Sequence, residues 1–588
     1  REQTFDDPST PADVRELKMA FAKSVAKIIR EADPEGVWVT WAWTFQIWPS
    51  EDQAAFVRAL PQDHVCILDA WTDRYPVYNK MDFFGGKPWG VSICQMLGGD
   101  DEMRGNMPWL IDRLNEIAAN PKARHCDTLY YLPEHVHYNT VYCDLAARLA
   151  WDSSAVGLEK FLDDYVLRRH EAGPSGGIRK AFGLLAKTVY SNNPGSKPLY
   201  QQRLNPEPQS VYLLDMHKAV ELQAILKSAL DAALSESRAC EGNWMYLRDM
   251  VDISRQYMAE RFNYHFNKSV LAGGDPKELE LCRTILEAIT ETLRNCPDYR
   301  IDARYLNLNE KQQRTVRDEM YTLASREWLL DYQAKDIYEV NRDYYQKRFD
   351  VFCEMSAKKK RPYGEYQKAY KAVEAAWLAN SKIVTPGPAP DFSAAMTAIR
   401  SALRKVESLP APLWKRPVLN DEVLEGAKVG WEDRCDSTSG WITKSSSQDG
   451  SMGIEDGVLT LKANKASVCF FKELNVDAAQ FPIFIVKYCA PSGFAIPCFV
   501  WLDWIDERGK SHHSRLLQED LYNRPEWHEV KIHVGNLLAN AYGVRPQKVV
   551  RLTIQNVALL ELNSQTSGMT KWKDLRFVSE GASAAPQK

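Results

Sequence analysis

The segment LYYLPEHVHYNT, residues Leu129–Thr140, decides how the chain is read. It opens as a short apolar and aromatic run and meets Pro133. One carboxylate follows, Glu134, between bulky neighbours, with His135 and His137 beside it. Proline cannot donate to a sheet ladder, so the strand stops there. A surface turn needs neither the aromatic run nor the bulk around the carboxylate. A barrel explains both, because barrel enzymes carry their working groups just past the carboxyl ends of their strands.

Upstream, the chain alternates between two periodicities. Val14–Asp33 places Leu17, Ala20, Phe21, Val25 and Ile28 near one helical face, and EGVWVTWAWTF (35–45) follows as a buried strand. EDQAAFVRAL (51–60) is helical and HVCILDAW (64–71) a strand. WGVSICQML (89–97) is a third β run, MPWLIDRLNEIAAN (107–120) a helix, and TLYYLP (128–133) the last strand. Strands alternating with helices indicate parallel βα units. Four of them within residues 1–151 make half of a (β/α)8 barrel, which takes about 250 residues when whole. A half barrel leaves two long strand edges open and is not expected to stand alone.

The texture then changes twice. Residues 152–410 read as an all-helical domain, in which Ile337, Val340, Tyr344, Tyr345, Phe349 and Phe352 mark one apolar stripe. Proline-rich stretches lead through a linker, 411–428, to short β runs over 429–580, where Val550, Leu552 and Ile554 alternate with polar residues as one buried face. This is expected to be an antiparallel β-sandwich, an accessory module of carbohydrate-binding type, followed by a disordered tail, 581–588. The fold class is therefore multidomain: α/β half barrel, all-α domain and all-β sandwich.

Composition narrows the function. The 588 residues carry a formal net charge of −4 with 26% charged side chains, which argues against a nucleic-acid partner. No apolar run approaches the roughly 20 residues of a membrane span. The twelve cysteines include no CxxC pair. His135 and His137 have no evident third ligand, so they read as a satisfied or exposed pair, and neither metal nor cofactor is expected. Gly-rich phosphate loops and HExxH are missing from the sequence, leaving nucleotide and zinc-protease chemistries without support. What does gather at the predicted rim is a set of carboxylates and aromatics. It comprises Asp6, Asp7, Trp41, Trp43, Gln46, Asp69, Trp71, Asp73, Gln95, Asp100 and Glu134. Carboxylate pairs flanked by aromatic rings suit glycoside hydrolysis. From position alone, Asp6 and Asp7 ahead of PSTP read equally well as helix caps.

The ordered set QTFDDPSTP, EGVWVTWAWTFQ, ILDAWTDRYPVY, LGGD and LPEHVHYNTVYCDLAARLAWD resembles the α-N-acetylglucosaminidases of glycoside hydrolase family 89. The likeness continues into EWLLDYQAKDIYEVNRDYYQKRF and covers roughly residues 1–385. The resemblance implies the second half of a TIM (β/α)8 barrel and a retaining α-glycosidase acting on terminal α-linked N-acetylglucosamine in a glycan. Glu134, in LPEH where the family has APEG, would be the nucleophile. Asp7, in TFDD where the family has TFNE, would be the general acid/base. Trp43, Trp41, Asn139, Tyr332, Trp71 and His135 would contact the sugar. The chain departs from the family at Asp7, at His135 in place of a glycine, and at CQMLGGD in place of HNFGGN. These departures leave open a non-catalytic carbohydrate-binding scaffold or a glycosidase for a different α-linked sugar. Because the chain begins almost on the acid motif, a longer parent is expected. It would supply the N-terminal domain, the first barrel half and a signal peptide for an extracellular or periplasmic location.

Overall fold

Four short strands rich in β-branched and aromatic residues pair side by side: β1 (Trp38–Trp41), β2 (Val65–Asp69), β3 (Trp89–Gln95) and β4 (Cys126–Pro133). Their order in the sheet is β1-β2-β3-β4 and every pairing is parallel, as the alternating texture predicts. The computed structural model describes residues 12–42, 50–69, 72, 76–79, 81–95, 101–133, 139–151, 157–173, 176–191, 196–301, 308–309, 311–312, 315, 335–358, 362–379, 391–411, 424–443, 450–463, 467–489, 497–520, 527–557 and 568–581.

Around this sheet lie α1 (Ala12–Ala32), α2 (Ser50–Ala59), α3 (Met107–Ala119) and α4 (Thr140–Trp151). The β2–β3 crossover departs from the regular pattern, since no α-helix spans it among the described residues. It contains instead a left-handed turn with φ of +45° at Asp82, +52° at Phe83, +54° at Phe84, +63° at Gly85 and +75° at Gly86. Left-handed backbone costs an L-residue roughly 1–2 kcal/mol. Phe83 and Phe84 offset this by packing edge-on against the buried Trp89, at 6.3 and 5.7 Å between ring centres, while Tyr78 stacks on the same indole at 5.0 Å.

The apolar face expected to bury α1 does not do so. Leu17, Phe21 and Ile28 are more than half exposed, whereas Lys18 and Ala22 are buried. Polar geometry fixes the orientation: Lys18 reaches Asp52 of α2 at 3.2 Å, Arg15 pairs with the same carboxylate, and Phe21 meets Trp38 edge-on.

Helices then follow in sequence: α5 (Leu158–His170), α6 (Gly177–Ala186), α7 (Leu213–Leu234), α8 (Trp244–Leu271), α9 (Pro276–Arg294), α10 (Gln346–Ala357), α11 (Tyr363–Ala379) and α12 (Phe392–Glu407). The stripe from Ile337 to Phe352 is buried as expected and runs through a π-turn at Asn341–Tyr345 into α10. α8 is buried all round, so it carries no polar face; Asp249, Asp252, Arg255, Gln256, Glu260 and Arg261 are all inside.

The C-terminal strands form two antiparallel sheets. They are β5 (Val429–Asp433), β6 (Trp441–Thr443), β7 (Gly450–Glu455), β8 (Val458–Ala463), β9 (Ser467–Asp477), β10 (Ile483–Cys489), β11 (Pro497–Asp506), β12 (Ser511–Asp520), β13 (His528–His533), β14 (Pro546–Val557) and β15 (Gly568–Val578). One sheet has the order β13-β10-β15-β8-β7 with β5 beside β15; the other is β12-β11-β14-β9-β6. Asn556 crosses between them, its Nδ2 donating to Thr570 Oγ1 at 2.9 Å and to Leu461 O at 3.3 Å. The expected buried row on β14 holds at Leu552 and Ile554 but fails at Val550. A register shift between Val549 and Arg551 turns Val549 inward in its place, the usual effect of one extra residue in a strand. α13 (Val534–Tyr542) packs between these strands and the helical region. There Tyr212 lies 4.9 Å from the Arg515 guanidinium, which also covers Phe499 and Trp501 at 4.6 and 4.3 Å. All twelve cysteines are free thiols.

Candidate active site

A parallel sheet gathers the carboxyl ends of its strands at one edge. Here that edge carries Trp41 of β1, Asp69 of β2, Gln95 of β3 and Pro133 of β4, with Gln95 and Pro133 in register. Of the sequence-predicted site residues, Trp41, Asp69, Gln95 and Asn139 belong to the described part of the chain. Asp7, Trp43, Trp71, Glu134, His135 and Tyr332 lie outside the described residues, as do Asp6, Gln46, Asp73, Asp100 and His137. Trp41 is half-buried at the end of β1, paired with Leu68.

Asp69 is fully buried. Its Oδ1 accepts from the Val77 N–H at 3.0 Å, and its carbonyl accepts from Thr72 Oγ1 at 2.8 Å. Thr72 in turn joins the loop to β3, donating its N–H to Ser92 O and accepting the Ser92 N–H at its hydroxyl. Among the described residues the other carboxylate oxygen, Oδ2, has no hydrogen-bond partner. Burial pushes the carboxyl up from 3.8 to about 7, against the lowering influence of the bonds from Val77, Thr72 and Tyr78 and of the more distant Arg113 charge. Asp69 thus organises the loop after β2 and sits near its own titration point at neutral pH.

The loop after β3 is stitched to the loop after β4. Asn139, nearly fully buried with φ +53°, accepts the Arg104 N–H at Oδ1 and donates from Nδ2 to Glu102 O, both at 3.1 Å. Its own carbonyl accepts from Tyr142 and Cys143, opening α4. Asn139 thus ties its amide to the backbone of the neighbouring loop. Glu102 pairs with Arg104 at 2.5 Å within that loop. Gly105, at φ +141°, lies so close to Tyr142 that a Cβ would stand 2.5 Å from Cδ2. Asn106 caps α3 by accepting the Trp109 N–H.

Sequence reading missed the residues that anchor this loop from behind: Asp101, Gln201, Arg255, Gln256 and Asp336, each almost wholly buried. Their one signal is the run of charged residues inside α8, which breaks any amphipathic pattern. Among the described residues no group of three or more His, Cys, Asp or Glu side chains could hold a metal ion, and no helix is long and apolar enough to cross a membrane.

Residues 3–153 match the α-N-acetylglucosaminidase (NAGLU) tim-barrel domain, and residues 161–401 match the C-terminal domain of the same family. The class is thus a tim-barrel domain of the α-N-acetylglucosaminidase type followed by the C-terminal domain of the same family. The human α-N-acetylglucosaminidase is 22% identical over 381 residues, covering 60% of this chain and 50% of the relative. The chain belongs to the α-N-acetylglucosaminidase family, and it spans about half the length of the curated relative it matches. Among solved structures, the family 89 glycoside hydrolase of Clostridium perfringens with 2-acetamido-1,2-dideoxynojirmycin aligns at a TM-score of 0.54 and 15% identity, over 66% of this chain and 46% of that one. The protein of the same organism bound to its substrate GlcNAc-α-1,4-galactose aligns at 0.53 and 14% identity, with the same coverage. At these identities the likeness is one of fold.

Proposed function

We propose that the protein is a retaining α-glycosidase that removes terminal α-linked N-acetylglucosamine, or a closely related α-linked sugar, from glycans. Glu134 attacks the anomeric carbon while Asp7 protonates the departing oxygen; Asp7 then activates the water that releases the covalent intermediate. Trp43, Trp41, Asn139, Tyr332, Trp71 and His135 contact the sugar. The single observation that carries this reading is the end of β4 at Pro133, in register with Gln95 at the rim. The next residue in sequence is Glu134, in a region matching a glycosidase barrel. On this reading residues 1–151 are the second half of a (β/α)8 barrel, 152–410 its helical partner and 429–580 a β-sandwich accessory module for carbohydrate, reached through the linker 411–428. An extracellular or periplasmic location fits a glycan substrate.

One observation favours a second reading, a carbohydrate-binding protein without turnover. Asp7 is one methylene shorter than the glutamate of the family's motif, and retaining carboxyls must stand about 5–5.5 Å apart. An aryl α-N-acetylglucosaminide separates the two, since a good leaving group needs little acid assistance. Turnover by the unsubstituted protein, lost roughly 10³-fold or more in Glu134→Gln with sugar binding retained, supports the glycosidase. Binding without turnover by the unsubstituted protein selects the second reading, and equal turnover by Glu134→Gln removes that residue's role.

A further inference from the structure

Behind the rim, one buried guanidinium joins segments far apart in sequence. Arg255 of α8 sends Nη1 to Asp336 Oδ2 at 3.1 Å and to Asp101 Oδ1 at 3.3 Å, while Nη2 bonds the Asp101 carbonyl. The two acids are tied directly as well: the Asp336 N–H donates to Asp101 Oδ2 at 2.7 Å. Gln201 Nε2 donates to both oxygens of Asp101 at 3.1 and 3.0 Å. Tyr200 OH and Asn341 Nδ2 hold Asp336 at 2.8 and 2.9 Å. One position along α8, Gln256 Oε1 accepts the Met103 N–H at 2.9 Å, and its Nε2 is held by Ser196 O and Glu260 Oε1.

Asp101 and Met103 belong to the loop after β3, and Asn139 passes the constraint to the loop after β4, five positions beyond Glu134. Asp336 stands four positions after Tyr332. A planar fork with fixed donor directions holds two oxygens in a defined mutual position, which a flexible ammonium does not. A purely stabilising core would be better served by apolar residues, because burying Asp101, Asp336 and, at 3.8 Å, Asp252 around one cation recovers little net energy.

We propose that Arg255 is a positioning residue of the glycosidase site, acting through Asp101 and Asp336 to hold the loop after β3 and the segment that begins at Lys335 in one fixed arrangement. This inference rests on the function proposed above. Its value to catalysis is geometric: misplacement of reacting groups by about 1 Å can cost ~10²-fold in rate.

The test uses the full-length protein with Arg255→Lys and, in case that variant does not fold, Asp336→Asn, which keeps the Asp336 backbone bond to Asp101. Two readouts are taken: amide hydrogen exchange, and kcat and KM on an aryl α-N-acetylglucosaminide. The expected result is exchange faster by ~10-fold or more at Met103, Arg104 and Asp336, with β9 and β14 amides unchanged as a control. It is accompanied by a fall in kcat between ~10- and ~10²-fold with KM within about threefold. Unchanged exchange at those amides, or unchanged kcat, in a folded variant overturns the proposal. Exchange that rises in β9 and β14 too, with kcat and KM both degraded, overturns it in favour of a structural role. An unsubstituted protein that binds sugar without turnover overturns the functional reading, and this inference with it, whatever the exchange shows.

Discussion

Replacing Asp69 with asparagine should make the protein more stable at alkaline pH and leave it nearly unchanged in acid. The carboxyl lies at about 7 in the fold against 3.8 for an ordinary aspartate, so the folded state binds more protons than the unfolded chain between those values. Stability contributed by this group is fully present below about pH 4 and is lost as pH rises through about 7, levelling off above. The gap of about three pH units corresponds to something on the order of 4 kcal/mol at pH 8. Because Asp69 is wholly buried, solvent does not screen this away. Asparagine imitates the protonated acid: it keeps an oxygen to accept from Val77, and the orphaned Oδ2 position receives an NH2 where the acid would hold a proton. Native-state exchange of the β2 and β3 amides, corrected for the intrinsic chemical rate, reads the local opening energy at pH 5 and 8. Equal opening energies for parent and Asp69→Asn at pH 8, or a variant less stable there than the parent, would refute the assignment of a buried, reluctantly ionised carboxyl.

Two further perturbations address neighbouring features. Gly105→Ala should cost about 1–3 kcal/mol and loosen the loop after β3, because the added methyl meets the Tyr142 ring and the backbone there favours glycine; protease cleavage within 101–106 should accelerate while helix content is retained. Asp249→Asn should behave oppositely to Asp69→Asn. Burial raises that carboxyl, but the Arg169 fork, at 2.7 and 2.8 Å, outweighs it and holds the group down at about 2. Its stabilisation is therefore present above the usual pKa of 3.8 and lost as pH falls through about 2. Urea denaturation should show the variant weaker by about 3–5 kcal/mol at pH 7, where Arg169 is left buried without its partner, and by visibly less near pH 2.

Much of the architecture was legible because it rests on local rules. Aromatic and β-branched runs such as Tyr130-Tyr131 marked strands, and Pro133 marked where one stops. The stripe from Ile337 to Phe352 marked a helix by period alone. The failures come where a local pattern is overruled from a distance. Amphipathicity told that α1 is a helix, but Asp52 on another helix decided which side faces inward. Alternation told that β14 is a strand, but one extra residue moved the inward position from Val550 to Val549. The left-handed turn at Asp82–Gly86 carries no signal beyond its two glycines, and the two phenylalanines that stabilise it look like any core residues until Trp89 is beside them. The resemblance singles out Asn139 by its place in a motif, yet its partners Glu102 and Arg104 could be assigned only from coordinates.

The hub at Arg255 also bears on why the barrel strands and the helical domain occur together. The Asp336 amide bonds an acid 235 positions away, and the Arg255 contacts to Asp101 span 154. Closing such long loops carries an entropic cost that grows only slowly with length, so contacts of this range are affordable once the intervening helices pack. Without α8, however, Asp101 would be a buried carboxylate without its cation, and the Met103 N–H would lose its acceptor, each costing about 1–3 kcal/mol or more. The loop after β3 would then rearrange towards water, taking the Asn139 tie and the start of α4 with it. The helical domain is on this account part of the rim's construction: the four strands bring the loops to one edge, and buried side chains on α8 decide the shape those loops adopt there.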